Sequence, residues 1–147
     1  IRVGSAGSYQ DDIKVRDIVI AMSASTNSGI NNARFENSDY APTADFELFM
    51  KAVAYAKNNN IEIKAGNVLT SDEFYEDDFN SYKKWADYRV LCVEMETAGI
   101  YTVAAKYNVK ALAILTISDS LITKEKTTTE ERESTFNKMI EIALGTL

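Results

Sequence analysis

The sequence predicts an α/β domain built on a largely parallel β-sheet. Segments rich in β-branched residues alternate with segments whose apolar residues recur at helical spacing, which is typical of this class. The segment 110–118 is almost continuously apolar, as expected of a parallel strand that is buried on both faces. The 147 residues suffice for one domain, and no repeat or linker divides them.

The elements follow from local patterns along the chain. We predict strands at 1–3, 17–25, 61–69, 89–96 and 110–118, and helices at 45–59, 80–88 and 97–107. Small residues at 4–8 predict a glycine turn after the first strand, and the polar segment 26–42 predicts a long loop. A last helix is predicted to begin at Thr127. Its capping box pairs Thr127 with Glu130 or Thr128 with Glu131.

Composition excludes several classes of function. A formal net charge of −6, from 16 basic and 22 acidic side chains, argues against non-specific nucleic-acid binding. No apolar run approaches the roughly 20 residues of a membrane span. Without histidine there is no His-based triad and no His-rich metal site. Cys92 is the single cysteine, so no disulfide forms within the chain, and a reducing cytoplasm is the expected compartment.

Three predicted strands end in polar clusters. In open α/β sheets ligands bind at the carboxyl ends of the strands, so these clusters are candidates for one site. The first comprises Arg2, Gly4, Ser5 and Gly7, the second Glu94, Met95 and Glu96, and the third Ser118, Asp119 and Ser120.

The glycine segment allows two interpretations. Exposed backbone N–H groups, the Ser5 hydroxyl and the Arg2 guanidinium suit a phosphate. The segment matches neither a Walker A loop nor a dinucleotide-binding fingerprint. A tight structural turn next to a surface arginine explains the same residues.

The acidic residues also allow two interpretations. Glu94 and Glu96 are two apart on a strand, so they point to the same side and can accept hydrogen bonds from vicinal hydroxyls. Both are equally explained as solvated residues where the strand leaves the core. A metal site is disfavoured because no further ligands follow at a recognisable spacing. Asp119 is either a turn residue or a partly desolvated acid that donates a proton.

Five segments together resemble the bacterial hexameric purine nucleoside phosphorylases. They are IRVGSAG at 1–7, SDEFY at 71–75, VEMETAG at 93–99, TISDS at 116–120 and TTTEERESTFNKMI at 127–140. Their order and spacing agree with the family, and they cover essentially the whole chain. The family's N-terminal portion has no counterpart here, so we expect the chain to be the C-terminal part of a longer single-domain protein or a cleavage product.

The resemblance implies a fold, a reaction and an assembly. The fold would be a three-layer αβα sandwich with the mixed, mostly parallel sheet of nucleoside phosphorylases. The reaction would be reversible phosphorolysis of purine ribo- and deoxyribonucleosides in purine salvage, with phosphate as co-substrate and neither cofactor nor metal. The assembly would be a cytoplasmic homo-hexamer, a trimer of dimers, and a companion N-terminal fragment could complete the protein.

The resemblance also assigns a role to each predicted site residue. Arg2 and Ser5 would bind phosphate, Glu94, Met95 and Glu96 the ribose, and Phe74 and Val93 the base and sugar, with Met95 also lining the base pocket. Asp119 would protonate N7 of the leaving purine, assisted by Arg132.

Two alternatives stay open from the sequence. The GSAG segment also resembles the hydrolytic nucleosidases of methylthioadenosine and S-adenosylhomocysteine, although Arg2 and the segment 127–140 favour the phosphorylase. An inactive fragment with a structural role is the other alternative. Ser120 replaces a histidine common in the family, and Ala6 replaces a frequent cysteine; neither position is assigned chemistry. Asp119 argues against a uridine phosphorylase.

Overall fold

The computed structural model describes residues 1–75, 77–78, 80–131 and 136–147. Its strands are β1 (Arg2–Ser8), β2 (Ile18–Thr26), β3 (Lys64–Thr70), β4 (Cys92–Glu94) and β5 (Ala113–Ser120). Its helices are α1 (Phe46–Asn58), α2 (Lys83–Ala86), α3 (Thr97–Lys106) and α4 (Asn137–Thr146), with a 3₁₀ turn at Gly29–Asn31. Within these ranges no helix combines the length and apolar character needed to cross a bilayer.

The five strands form one closed mixed sheet in the order β1-β4-β3-β2-β5. The pairs β1–β5, β2–β3 and β3–β4 are parallel, and β1–β4 and β2–β5 are antiparallel. The predicted mixed, mostly parallel sheet is therefore confirmed. β5 is buried along nearly its whole length, as its apolar run predicted.

Helices cover both faces of the sheet. On one face α1 and α4 pack against Ile18, Ile20 and Ile114, and on the other α3 packs against residues that alternate with these, such as Val19 and Leu115. Strand side chains alternate between faces with a period of two, so a strand contributes side chains to the hydrophobic core on each face of the sheet. The predicted three-layer αβα arrangement is confirmed.

Local sequence signals set the ends of the helices. The Asp45 side chain accepts a hydrogen bond from the Leu48 N–H at 2.9 Å and caps α1. After α1, Asn60 takes a left-handed conformation with φ 55°, and Asn108 does the same after α3 with φ 52°. Asparagine tolerates this conformation better than most residues, so the chain can leave each helix sharply.

The predicted glycine turn at 4–8 is wrong, because β1 continues through it to Ser8. None of the six glycines, all within the described residues, has a positive φ. Gly4 and Gly7 instead leave room for the side chains of Arg2 and Leu121. A Cβ on Gly4 would overlap the guanidinium of Arg2, and one on Gly7 would lie 2.7 Å from Leu121 Cδ1.

β3, β4 and β5 each begin three residues later than their patterns predicted. The segment before β3 lies outside the sheet because Ile61 and Ile63 pack into the core beneath α1 and α4. Arg89 has a left-handed backbone with φ 59°, so the chain turns there and β4 starts only at Cys92.

The segment after β5 folds back onto the strand. The Thr127 N–H and hydroxyl donate to the Ser118 carbonyl at 2.8 and 3.0 Å. Thr128 and Glu131 form the capping box, with reciprocal bonds of 3.1 and 2.9 Å, and residues 129–131 are helical. The second of the two predicted registers is therefore the one adopted. The predicted start at Thr127 is two residues early.

Candidate active site

The polar strand ends meet in one pocket of about 870 Å³. The residues that line it include every predicted site residue that the structure describes, namely Arg2, Ser5, Phe74, Val93, Glu94, Met95, Glu96 and Asp119. Arg132 was also predicted here, but it lies outside the described residues.

Strand register explains why these residues converge. Gly7 of β1 lies opposite Val93 of the antiparallel strand β4 and opposite Asp119 of the parallel strand β5. β1 therefore runs between the glutamate cluster and the aspartate, and its small residues form the wall of the pocket. A bulge between Ala6 and Gly7 shifts the pairing with β5 at this point.

Arg2 extends along its own strand over Gly4 toward two carboxylates, that of Glu94 at the end of β4 and that of Glu96. Its Nη2 donates to the Glu96 carboxylate and lies 3.4 Å from Glu94 Oε2. Its Nη1 is buried and has no hydrogen-bond partner among the described residues. The missing side chain of Gly4 provides the space for this group. A buried guanidinium nitrogen without an acceptor is costly, so an anionic ligand that supplies one is favoured here.

Glu94 and Glu96 have different surroundings. The Glu94 side chain is 1 % exposed, and that of Glu96 is 53 % exposed. Glu94 accepts hydrogen bonds from the Thr70 hydroxyl at 2.6 Å, from the Thr97 N–H at 3.0 Å and from the Glu96 N–H at 3.1 Å. Its oxygens are occupied by protein donors, whereas the Glu96 carboxylate faces the pocket and contacts Arg2.

Cys92 is a core residue, as its apolar surroundings predicted. It is fully buried in β4. Burial, and to a lesser degree the charge of Glu94, raise the pKa of its thiol above the usual range. The thiol therefore stays protonated and unreactive.

Asp119 is half-buried at the end of β5. Its Oδ1 accepts a hydrogen bond from the Ser118 hydroxyl at 2.7 Å. Its backbone forms a bridge with Lys126 on the returning segment. A Cβ on Gly7 would approach Asp119 Oδ2 to 3.2 Å, so glycine leaves room for this carboxylate.

Two aromatic rings stand at the mouth of the pocket. Phe74 and Tyr75 are 72 % and 90 % exposed, and their rings meet edge to face with centroids 4.9 Å apart. The loop that carries them is anchored where it leaves β3. There Asn27 donates to the Ser71 hydroxyl at 3.1 Å and accepts from the Asp72 N–H at 3.3 Å.

Sequence reasoning missed several pocket residues, among them Tyr75, Lys124 and Lys126. Tyr75 follows Phe74 directly, so its position was a usable signal. The lysines come into the pocket only because the chain folds back after Ser120, and no local pattern revealed that return. Among the described residues, no group of three or more His, Cys, Asp or Glu side chains could hold a metal.

Comparison with known proteins places the chain in a family. The family model of the phosphorylase superfamily matches residues 1–145. The chain belongs to the phosphorylase superfamily. It is 58 % identical over 146 residues to a DeoD-type purine nucleoside phosphorylase of Exiguobacterium sp. The matched segment covers 99 % of this chain and 62 % of the relative. It is 62 % identical over 144 residues to the DeoD-type enzyme of Thermoanaerobacter sp., again over 62 % of the relative's length.

The phosphorylase-superfamily fold also appears in a solved structure. The P. knowlesi homologue of P. falciparum PNP superposes with a TM-score of 0.84 at 24 % identity, over 99 % of this chain and 59 % of that one. This likeness supports the fold. The chain thus spans about three-fifths of the length of the proteins it matches.

Proposed function

We propose that the protein to which this chain belongs catalyses reversible phosphorolysis of purine ribo- and deoxyribonucleosides. A phosphate oxygen attacks C1′ of the sugar, the C1′–N9 bond breaks, and its electron pair goes to the purine, which takes a proton at N7. The products are the free base and (deoxy)ribose 1-phosphate. The observation that carries the proposal is the buried, unpartnered Nη1 of Arg2 in the same pocket as Glu96 and Asp119.

Phosphate is assigned to Arg2 and Ser5. The Arg2 guanidinium lacks one acceptor, and Ser5 lies on β1 in the wall of the same pocket. The bound anion also stabilises the positive charge that develops on the ribose as the bond breaks. Preorganised charge of this kind is commonly the largest catalytic contribution.

The nucleoside is assigned to the residues at and after the end of β4 and to the loop that carries Phe74. Glu96, whose carboxylate reaches the pocket, accepts hydrogen bonds from the 2′ and 3′ hydroxyls, with Met95 beside the sugar. Phe74 stacks over the sugar and base, and Val93 lines the base site. Glu94 completes the ribose side of the pocket.

Proton transfer is assigned to Asp119. Its position at the end of β5, across β1 from the glutamates, suits a group that donates to N7 while the sugar is held by Glu96. A general acid typically contributes about 10²–10⁴-fold. Arg132, outside the described residues, is proposed to assist.

The relatives support phosphorolysis over hydrolysis, since those that match at 58–62 % identity are named purine nucleoside phosphorylases. Because the chain spans 62 % of their length, the activity is proposed for the longer protein or for this chain with a companion N-terminal fragment. By the same likeness we propose a cytoplasmic homo-hexamer arranged as a trimer of dimers, with neither cofactor nor metal.

Phosphate dependence tests this function. The full-length protein is incubated with inosine or adenosine, with and without phosphate, and free base is measured. We expect cleavage only with phosphate, and (deoxy)ribose 1-phosphate as the second product. Equal turnover without phosphate indicates a hydrolytic nucleosidase, and no turnover in either condition indicates a structural role. Intact mass of the purified protein establishes whether a companion fragment is present.

A further inference from the structure

The N-terminus of α3 is capped in an unusual way. The first N–H groups of a helix have no partner within it, and the residue at the N-cap commonly supplies an acceptor from its own side chain. Glu96 occupies this position, yet in the described structure its carboxylate makes no cap hydrogen bond. Another group must therefore accept these N–H groups.

Glu94 and Thr70 supply the missing acceptors. The Glu94 carboxylate accepts from the Glu96 N–H at 3.1 Å and from the Thr97 N–H at 3.0 Å. The Thr70 hydroxyl accepts from the Ala98 N–H at 2.8 Å. Three consecutive backbone N–H groups are thus satisfied without the side chain of Glu96.

Thr70 connects the two parts of this cap. It is the last residue of β3, lies beside Glu94 in the β3–β4 register and is almost fully buried. Its hydroxyl accepts from the Ala98 N–H and donates its own proton to Glu94 Oε1 at 2.6 Å. One hydroxyl therefore fixes the Glu94 carboxylate relative to the start of α3.

We propose that Thr70 and Glu94 are positioning residues that hold Glu96 in place for the ribose. They take over the cap, so the Glu96 carboxylate is left to extend into the pocket. The Glu94 oxygens are filled by α3, by Thr70 and by the nearby Arg2, which assigns Glu94 to support rather than to direct contact with the sugar. This inference rests on the proposed phosphorolysis.

The test compares binding of a nucleoside with binding of the free base. In the full-length protein, Thr70→Val removes the hydroxyl at nearly constant volume. We expect the KM for inosine to rise about 10-fold, the range of a lost hydrogen bond to a charged group. The Ki of hypoxanthine, which has no ribose, should stay near the wild-type value, and kcat should fall less than KM rises.

Two variants control for a general loss of structure. Thr70→Ser keeps the hydroxyl and should restore the KM for inosine. Thr102→Val removes a different buried hydroxyl, that of Thr102 in α3. It donates to the Ala98 carbonyl at 2.8 Å and accepts from Asn31 Nδ2 at 3.2 Å, outside the pocket. This variant should lower the unfolding temperature, but it should not raise the KM for inosine relative to the Ki of hypoxanthine.

Each outcome is decisive. The same KM for inosine in Thr70→Val and wild type overturns the inference, as does a failure of Thr70→Ser to restore it. If Thr70→Val does not fold, Glu94→Gln is measured in its place. It must raise the KM for inosine while the Ki of hypoxanthine stays near the wild-type value. Wild-type protein that neither binds nor cleaves inosine overturns the proposed function itself, and this is seen before any variant is compared.

Discussion

The guanidinium of Arg2 donates to the carboxylate of Glu96, although the two residues are 94 positions apart in the chain. In the proposed reaction they bind different substrates, Arg2 the phosphate and Glu96 the ribose. Without substrates each therefore serves as the other's partner. Phosphate can accept from the free Nη1 of Arg2, but it must compete with Glu96 for Nη2, and the ribose hydroxyls must compete with Arg2 for Glu96.

This contact predicts that the two substrates strengthen each other's binding. When an anion engages Arg2, Glu96 is released for the ribose, and linkage requires the reciprocal effect. We expect sulfate, an unreactive tetrahedral anion, to tighten inosine binding by about 5-fold or more, the lower end of typical coupling. Isothermal titration of the full-length protein with inosine, with and without sulfate, measures this. Arg2→Met should abolish the effect, and an unchanged inosine Kd in wild type contradicts it.

Arg2→Met should weaken phosphate more than nucleoside. The variant loses the charge and both nitrogens that face the pocket, so the KM for phosphate is expected to rise about 10- to 100-fold. Arg2→Lys should be intermediate because it keeps the charge without the planar fork. Arg34→Met is the matched control, since Arg34 is exposed outside the pocket and donates to the Ile30 carbonyl. A wild-type KM for phosphate in Arg2→Met removes Arg2 from the phosphate site.

Asp119→Asn should lower kcat for inosine by about 10²–10⁴-fold, because the amide keeps the shape but cannot donate the proton to N7. The variant should keep most of its activity on 7-methylinosine, whose purine is already positively charged. Steady-state kinetics on both nucleosides give the comparison. Asp12→Asn, which changes an exposed carboxylate paired with Arg89, is the control. Equal losses on both nucleosides exclude the acid role.

Gly7→Ala should disturb catalysis through steric contact with Asp119. The added Cβ would lie 2.7 Å from Leu121 Cδ1 and 3.2 Å from Asp119 Oδ2, so both side chains must move. Since a displacement of 1 Å can cost about 10²-fold, we expect kcat to fall about 10-fold. Gly29→Ala, whose Cβ would meet nothing nearer than 3.9 Å, should leave kcat unchanged. Equal kcat in the two variants contradicts the steric argument.

The Glu131 capping box should make stability dependent on pH. The hydrogen bond from the Thr128 N–H, and then the one from Arg16, lower the pKa of Glu131 below its ordinary value of 4.5. A lowered folded-state pKa means that the contribution is complete above about pH 4.5 and is lost as the pH falls through the folded value. Glu131→Gln should therefore destabilise the protein at pH 7 and less at pH 3.

Urea unfolding at the two pH values measures this difference. Glu62→Gln, at an exposed position before β3, is the matched control and should show no such difference. Equal destabilisation by Glu131→Gln at both pH values contradicts the role of the ionised carboxylate in the cap.

The sequence by itself determined the order of elements, the ends of α1 and α3 to within one residue, and the polar strand ends. These features are local. Asp45 caps α1 through Leu48, three residues away, and Thr128 reaches Glu131 at the same distance. The continuous apolar run of β5 likewise carries its own burial signal. The resemblance to purine nucleoside phosphorylases then assigned roles to the residues at the strand ends.

Only the tertiary structure decided the backbone conformation and the surroundings of those residues. It made the segment 4–8 a strand, because these residues pair with β5 and, at Gly7 and Ser8, also with β4. It also separated Glu94 from Glu96, two neighbours with the same chemistry, because Thr70 comes from another strand. Contacts between distant segments depend on strand register, and no local pattern of residues encodes that register.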